Sequence, residues 1–294
     1  MPMKEGLKPT GLLSPKSTDK FLDLVILNTP ILQAVTPAKV SEAVATYPTV
    51  AAALYKTRGF TTAHSGAGRQ GVATLTNLTG TDVSYSLKEL VLALVIQDSY
   101  VEDMDTDPEK IAELIAKVYA KDLQYLIING DVTETGTTDQ LTVRKILNGI
   151  VKQLTDNSLT CPWAAGDTTI IKKLGKLVAG APDDVIANPN TKIFLAPTDY
   201  TLLWDDVMTN NKTVAIRDGR VWFRGLEIID QPLLPANRPI VGDMTNFLVP
   251  MGREIMIEAQ RYPEARGFKC VLSSRIDVNQ YPNANLRILA ATAT

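Results

Sequence analysis

The sequence predicts an α+β protein in which helices flank a mixed sheet, and three observations lead to this class. A long amphipathic pattern with a helical period covers residues 107–130, and shorter helical patterns lie on both sides of it. Strand patterns separated by turn signals then follow one another from residue 214 onward. No internal repeat is present.

The pattern at 107–130 predicts one long helix. Asp107 can cap its N-terminus, and Pro108 suits the first helical position, where its missing N–H would have no partner. Apolar residues recur at intervals of three and four along one face: Ile111, Leu114, Ile115, Val118, Leu126 and Ile127. Asn129-Gly130 predicts the stop, because both residues tolerate the left-handed conformation that ends helices. At about 1.5 Å per residue the helix exceeds about 30 Å, so we expect other elements to lie across it.

The segment before this helix begins with an irregular stretch. Residues 1–17 contain three prolines and no periodicity, which predicts an extended arm that orders only against something else. Two short helices are expected next. The first covers 18–30, with Thr18 as a possible cap, and the second covers 36–48 between two prolines.

A polar hairpin is predicted between these helices and the long helix. Residues 50–85 are rich in Thr, Ser and Gly, which indicates two strands joined by a flexible tip at 65–71. Because its apolar content is too low for a core of its own, this hairpin is expected to lie on a neighbour. Residues 87–101 are strongly apolar, and their spacing favours a helix leading into the long one.

The part that follows the long helix mixes helices and strands. An amphipathic helix is expected at 141–154, and another is expected from a cap at Asp167 or Thr168 to Val178. A buried strand is predicted at 191–197, and Thr198 opens a further helix. Further strands are predicted at 214–216, 221–230, 239–243 and 247–260, and at 267–291 with a break at Tyr281-Pro282.

Composition sets limits on function. The chain has 294 residues, of which 45% are hydrophobic and 21% are charged, as in ordinary globular proteins. Thirty basic residues against 32 acidic ones leave a net charge of -2, which gives no attraction to nucleic acid. We find no signal-peptide core and no long apolar segment, so the chain is expected to be made in the cytosol without a membrane anchor. Cys161 and Cys270 lie far apart and predict two buried free thiols.

Two motifs resemble binding sites but lack the required context. Residues 66–71 match the GxGxxG pattern of dinucleotide-binding proteins, yet neither a buried strand before it nor a helix after it is predicted, so a hairpin tip is favoured. Asp103, Asp105 and Asp107 open a calcium-loop pattern. Pro108 replaces the glycine that the loop needs at its sixth position, and Leu114 replaces the glutamate at its twelfth.

No candidate for catalysis remains among the titratable residues. His64 is the only histidine, and it lies in the predicted hairpin, where a general base would lack a fixed geometry. Asp205 and Asp206 follow Trp204 as a possible carboxylate pair. Adjacent residues of a helix point in different directions, so a solvated face is favoured. We therefore expect no catalytic residue, no cofactor and no metal ion.

The order of these elements resembles a known family. An arm, short helices, a long hairpin, an apolar lead-in, a long helix ending in LIINGD at 126–131, and a strand-rich C-terminal part follow one another. Together with ANPNTKIFLAPTDYTLLWDD at 187–206 and the run at 222–260, this order resembles the major capsid proteins of tailed phages, which share the Hong Kong 97 capsid fold.

The resemblance implies a division of the chain into four parts. They are the N-terminal arm and short helices at 1–49, an extended loop at 50–85, a peripheral domain at 86–131 and 250–282, and an axial domain at 132–249 and 283–294. The long helix would be the spine of the peripheral domain. The extended loop would lie over a neighbouring subunit, with contacts from Lys56, Arg58, Arg69 and Gln70.

The function implied by this resemblance is structural. Copies would assemble into pentamers and hexamers of an icosahedral virion shell that encloses double-stranded DNA without sequence-specific binding. A separate scaffolding protein and a portal are expected as partners, and the shell is expected to be held together without covalent cross-links. The alternative of the same fold class is an encapsulin-type compartment that encloses an enzyme cargo.

Overall fold

The computed structural model describes residues 15–50, 80–97, 108–156, 160–162, 169–181, 183–210, 214–217, 220–252, 256–262, 266–281 and 289–292. Within these ranges the chain forms a six-stranded sheet, a seven-stranded sheet and a two-stranded ribbon. Helices pack against both larger sheets. The predicted α+β class is therefore confirmed.

The described chain begins with two helices, α1 (Pro15–Asn28) and α2 (Pro30–Ala34). The helix predicted at 18–30 is thus present, although it begins three residues earlier and a second short helix follows it directly. Pro30 does not simply end α1, because it occupies the first position of α2, where a missing N–H costs nothing.

The helix predicted at 36–48 is wrong. Strand β1 (Thr36–Val40) and strand β2 (Val44–Val50) occupy this part of the chain. Strand β1 runs parallel to β11 (Phe247–Gly252), which lies far along the sequence. Local sequence patterns do not show such long-range pairing, so the apolar spacing between the two prolines was interpreted as a helix.

The long helix is confirmed as α3 (Pro108–Asn129), with 22 residues. Among the residues predicted to face the core, Ile115, Leu126 and Ile127 are buried and Val118 is half-buried. The side chains of Ile111 and Leu114 lie outside the described part. The buried face of α3 belongs to one hydrophobic core that also includes α1, α2 and the six-stranded sheet.

The end of α3 depends on close backbone contact instead of a left-handed turn. Neither Asn129 nor Gly130 has a positive φ, so the reason that we gave for the stop is wrong. A Cβ atom on Gly130 would lie 2.4 Å from the carbonyl oxygen of Leu147, and Gly149 donates its N–H to the Gly130 carbonyl at 2.9 Å. Glycine is required here because two backbone segments touch.

This contact also interrupts the helix predicted at 141–154. Two short helices, α4 (Asp139–Arg144) and α5 (Ile150–Asp156), stand in its place. Gly149 lies between them, and a Cβ at this position would come within 2.6 Å of the Ile127 carbonyl oxygen. The chain leaves the helical path so that its backbone can approach the end of α3.

The helix predicted at 87–101 is also wrong, because strand β4 (Lys88–Gln97) covers its described part. Strand β4 pairs along its whole length with β13 (Gly267–Ile276) in antiparallel register. Leu90 and Ile96 face the core, while Val91 and Val95 on the other face are exposed. Since both faces of the strand carry apolar residues, the period of two was hidden in the sequence.

The six-stranded sheet has the order β1-β11-β13-β12, where β12 is Met256–Tyr262. Strand β14 (Asn279–Gln280) pairs with β11, and β4 pairs with β13. The strand patterns predicted at 247–260 and 267–291 thus correspond to several shorter strands. Strand β14 ends at Gln280, in agreement with the strand break predicted at Tyr281-Pro282.

The seven-stranded sheet has the order β5-β15-β10-β6-β9-β8-β7. Its strands are β5 (Thr160–Pro162), β6 (Lys192–Leu195), β7 (Val214–Arg217), β8 (Arg220–Phe223), β9 (Leu226–Asp230), β10 (Ile240–Gly242) and β15 (Leu289–Thr292). The strand predicted at 221–230 is therefore split, by a turn at Arg224-Gly225 in which both residues have a positive φ.

Two helices cover one face of this sheet. They are α6 (Ile170–Gly180) and α8 (Pro197–Asn210), and the short helix α7 (Asp183–Ala187) follows α6. The cross-strand row of Ile193, Ile228 and Val221 points into the core beneath α6 and α8. Phe194 and Ile240 point the opposite way, into the core that surrounds α3. The two faces of the sheet thus belong to different cores.

Candidate assembly surfaces

The ribbon at the start of the predicted hairpin packs on one face only. Strand β2 pairs antiparallel with β3 (Gly80–Ser86) over seven residue pairs, so the chain leaves and returns at residues 51–79. Tyr47 and Val83 form one cross-strand pair on the inner face and pack on Leu248 of the six-stranded sheet. Val44 on the outer face is exposed. The body of the protein therefore holds both ends of the segment 51–79.

Asp277 joins this ribbon to the six-stranded sheet. Its Oδ2 accepts a hydrogen bond from the backbone N–H of Ser86 at 2.9 Å and another from the Asn279 side chain at 2.8 Å. Its Oδ1 accepts from the N–H of Val278 at 2.9 Å. Close by, burial raises the pKa of Tyr281, and Tyr47 adds to the shift. The carboxylate fixes where the ribbon starts.

The four loop residues predicted to contact a neighbouring copy lie outside the described residues. They are Lys56, Arg58, Arg69 and Gln70. The GxGxxG segment, His64 and the Asp103 to Asp107 cluster also lie outside them. These predictions therefore stay predictions.

The outer face of the six-stranded sheet carries exposed apolar residues on β4. Val91 is 62% exposed and Val95 is 50% exposed. Their cross-strand partners on β13 are Ser273 and Lys269, and Ala93 lies between them opposite Val271. Strand β4 pairs with β13 alone among the described strands and is therefore an edge strand of the described sheet.

A second apolar surface lies on the outer side of α8, and we name it the α8 stripe. Leu203 and Val207 of this helix are buried against the seven-stranded sheet. The α8 stripe consists of Leu202, which is 54% exposed, Asp205, which is also exposed, and Met208, which is 79% exposed. Because these residues recur at intervals of three, they share one helix face.

Asp205 and Asp206 do not form a carboxylate pair. Asp205 is exposed on the α8 stripe, as predicted, whereas Asp206 is half-buried. The Oδ2 of Asp206 accepts a hydrogen bond from the N–H of Ile170 at 3.0 Å and so satisfies a donor in the first turn of α6. The prediction of a solvated face is therefore wrong for Asp206, which has a structural role.

A pocket lies on the face of the seven-stranded sheet opposite α8, and we name it the Trp222 pocket. Its volume is about 150 Å³, close to that of a cavity that holds one benzene molecule. Ile186 and Leu226 supply apolar lining, and Lys192, Trp222 and Glu227 supply the polar part. The last three form one cross-strand row over strands β6, β9 and β8.

Two cations and one carboxylate lie beside this pocket. Glu227 accepts from Arg220 at 2.7 Å and pairs with Lys192 at 3.1 Å, so two cations share one carboxylate. The indole nitrogen of Trp222 is buried and has no hydrogen-bond partner among the described residues. Sequence reasoning missed this site, because only the strand register brings its residues together.

The buried polar groups along α3 hold the helix in place. Tyr119 and Ser274 share a hydrogen bond of 2.6 Å between α3 and β13. Burial raises the pKa of Tyr119 to about 12, although the contact with Ser274 lowers it. At the other end of α3, the Asn129 side chain donates to the Leu233 carbonyl at 2.8 Å. These contacts stabilise the position of α3 in the fold.

None of the described residues forms a cluster of three or more His, Cys, Asp or Glu side chains suited to a metal ion. Cys270 is a buried free thiol, as predicted, and burial raises its pKa. The side chain of Cys161 lies outside the described part. Within the described ranges, no helix has both the length and the apolar character needed to cross a membrane.

The backbone is similar to chains from solved phage and virus-like particles. It matches a chain of the satellite phage P4 procapsid, solved with the size determination (Sid) protein, with a TM-score of 0.67 at 13% identity over 92% of this chain and 98% of that chain. The TM-score with a chain of Microbacterium phage Oxtober96 is 0.57, at 10% identity over 100% of this chain and 96% of that chain. The TM-score with a chain of the virus-like particle from Pyrococcus furiosus is 0.53, at 12% identity over 93% of this chain and 96% of that chain. No family model matches the sequence, and no curated protein is significantly similar to it.

These similarities show a fold found in chains of assembled particles. The matches cover more than nine-tenths of every chain compared, so the likeness concerns the whole architecture and not a single motif. More particularly, the fold is shared with chains from solved phage particles, since a phage P4 procapsid and Mycobacterium phage Adephagia are among the neighbours. The resemblance predicted from the order of elements is thereby confirmed for the fold.

Proposed function

We propose that this protein is the major capsid protein of a tailed phage and has the Hong Kong 97 capsid fold. Copies form pentamers and hexamers that build an icosahedral head around double-stranded DNA. The observation that carries the proposal is the whole-length structural likeness to a chain of the P4 procapsid. The role is structural and involves no catalysis.

The division into domains is part of this proposal. Strands β4, β12, β13 and β14 lie within the peripheral domain at 86–131 and 250–282, and the described strands of the seven-stranded sheet lie within the axial domain at 132–249 and 283–294. Strand β1, in the part at 1–49, adds to the peripheral sheet. Strand β11 crosses the boundary at 249, which supports moving that boundary to about residue 246.

The segment 50–85 is proposed to clamp a neighbouring copy. Two observations support this idea: the ribbon β2–β3 holds both ends of the segment on the body, and the outer face of β4 carries exposed Val91 and Val95. An exposed apolar sheet face suits the addition of a segment from another chain. Lys56, Arg58, Arg69 and Gln70 would then make contacts between subunits.

The proposed partners follow from the shell. DNA is enclosed without sequence-specific binding, in agreement with a net charge of -2, since a strongly basic surface would bind DNA tightly. A separate scaffolding protein and a portal complete the assembly. The protein is made in the host cytoplasm and ends in the virion.

A second candidate is an encapsulin-type shell around an enzyme cargo. The likeness to the virus-like particle from Pyrococcus furiosus favours it, although the TM-score of 0.53 is lower than the 0.67 for the phage P4 procapsid. The size and contents of assembled particles separate the two candidates. Large shells favour the phage head, whereas small uniform shells filled with protein favour the compartment.

The test is negative-stain electron microscopy of the purified protein, with and without residues 56–77. The full chain is expected to give shells, or rings of five and six copies. The deletion keeps both strands of the ribbon, so it is expected to give a folded subunit that forms no closed shell. Circular dichroism verifies that this subunit is folded.

Two results would contradict the proposal. A full chain that stays monomeric under every assembly condition, including with the scaffolding protein supplied, would contradict the capsid function. Normal shells from the deletion variant would contradict the proposed contact of residues 50–85 with a neighbouring copy. The variant Ile115→Asp is a useful negative control, because a charge on the buried face of α3 is expected to prevent folding and hence assembly.

A further inference from the structure

Two surfaces of the seven-stranded sheet complement each other but cannot meet within one chain. The α8 stripe points outward from the helix that covers one face of the sheet. The Trp222 pocket lies on the opposite face, because Trp222 and Glu227 alternate with the core residues Val221 and Ile228 along their strands. Contact between the stripe and the pocket therefore requires two copies.

The charges and the apolar lining of the pocket suit an anionic group that lies beside an apolar side chain. Lys192 and Arg220 share the single carboxylate of Glu227, which leaves this row with an excess positive charge. Ile186, beside them, is a partly exposed apolar residue. A carboxylate next to an aliphatic side chain satisfies all of these features.

The α8 stripe presents that combination. Asp205 supplies an exposed carboxylate, and Leu202 and Met208 lie one turn before and after it on the same helix face. A methionine at 79% exposure is flexible and polarisable, and such residues occur often at binding surfaces.

We propose that the α8 stripe of one copy docks in the Trp222 pocket of a second copy, with Asp205 facing Lys192 and Arg220. This inference rests on the proposed function and identifies which surfaces meet around the ring of a capsomer. The contact joins two different surfaces, so each copy uses its stripe on one neighbour and its pocket on the other. Head-to-tail contacts of this kind close into rings when the rotation allows it.

The test uses two variants that each lose one half of the contact. Asp205→Lys reverses the charge of the stripe, and Ile186→Glu places a carboxylate beside the pocket that repels Asp205. Each variant alone is expected to lose ring and shell formation, with association at least about tenfold weaker than in the wild type. An equal mixture keeps one intact contact, between the unchanged stripe of the second variant and the unchanged pocket of the first, and is therefore expected to form dimers in sedimentation velocity.

Matched controls separate this contact from general surface effects. Asp230→Lys makes the same charge change at another exposed aspartate, and Val132→Glu makes the same change as Ile186→Glu at another exposed aliphatic residue. Both controls are expected to assemble like the wild type. If the two test variants assemble as well as these controls, or if their mixture forms no dimer, the docking proposal is overturned while the capsid function stands. A wild-type chain that never associates overturns both.

Discussion

Gly149→Ala is expected to destabilise the subunit strongly, although it adds a single methyl group. The new Cβ would lie 2.6 Å from the Gly130 nitrogen, 2.6 Å from the Ile127 carbonyl oxygen and 2.9 Å from the Ile128 carbonyl oxygen. All three are backbone atoms at the end of α3, so no side chain can move aside to relieve the contact.

The magnitude follows from the cost of overpacking. Insertion of one methylene into a packed site costs about 1–3 kcal/mol, and three backbone contacts place this change at about 3 kcal/mol. A protein of this size loses about 2–4 °C in melting temperature for each kcal/mol, so we expect a decrease of about 6–12 °C. Thermal unfolding followed by circular dichroism, at concentrations below assembly, measures it.

Gly175→Ala is the matched control with the opposite sign. Gly175 lies within α6, and the nearest atom to a new Cβ is the Arg224 Nη2 at 3.7 Å. Alanine is favoured over glycine inside a helix by about 0.5–1 kcal/mol, so the melting temperature is expected to rise slightly. If Gly149→Ala were as stable as the wild type, the close contact of α3 with this segment would be refuted.

Three further changes test other contacts. Between about pH 10 and 12 the wild type is expected to lose stability that Tyr119→Phe keeps, because burial raises the pKa of the Tyr119 phenol to about 12. The stabilising contribution of the neutral phenol is complete below about pH 10 and is lost as the pH rises through about 12. Equal alkaline unfolding of both proteins would contradict this prediction. Ile115→Asp is expected to abolish folding, which a soluble product with normal circular dichroism would disprove. Asp277→Ala is expected to cost about 2 kcal/mol in chemical unfolding, because the Ser86 N–H loses its acceptor, and the exposed Asp82→Ala is the neutral control.

Elements with a clear period or clear terminal signals were predictable from the sequence. The long helix α3 carries a helical period and a proline at its start, and strand β6 is a short apolar run between turn signals. Strand β4 was predicted as a helix, because Val91 and Val95 make its outer face as apolar as its inner face. A strand with apolar residues on both faces lacks the alternation by which a strand is recognised.

The candidate surfaces were harder to predict than the fold. The Trp222 pocket joins residues of three strands through the register Lys192, Glu227, Trp222, and the sequence contains no information on that register. The split between α4 and α5 was missed for a related reason. Gly149 resembles an ordinary helix glycine until its contact with Gly130 is known.

The order of strands in the seven-stranded sheet has a consequence for synthesis of the protein. Strand β15 (Leu289–Thr292) lies between β10 and β5, and it is the only described strand that pairs with β5. A ribosome makes β5 and β10 well before β15, so this sheet stays incomplete until the last described strand emerges. A chain interrupted before that point has an open sheet, because β5 and β10 then lack the strand that joins them.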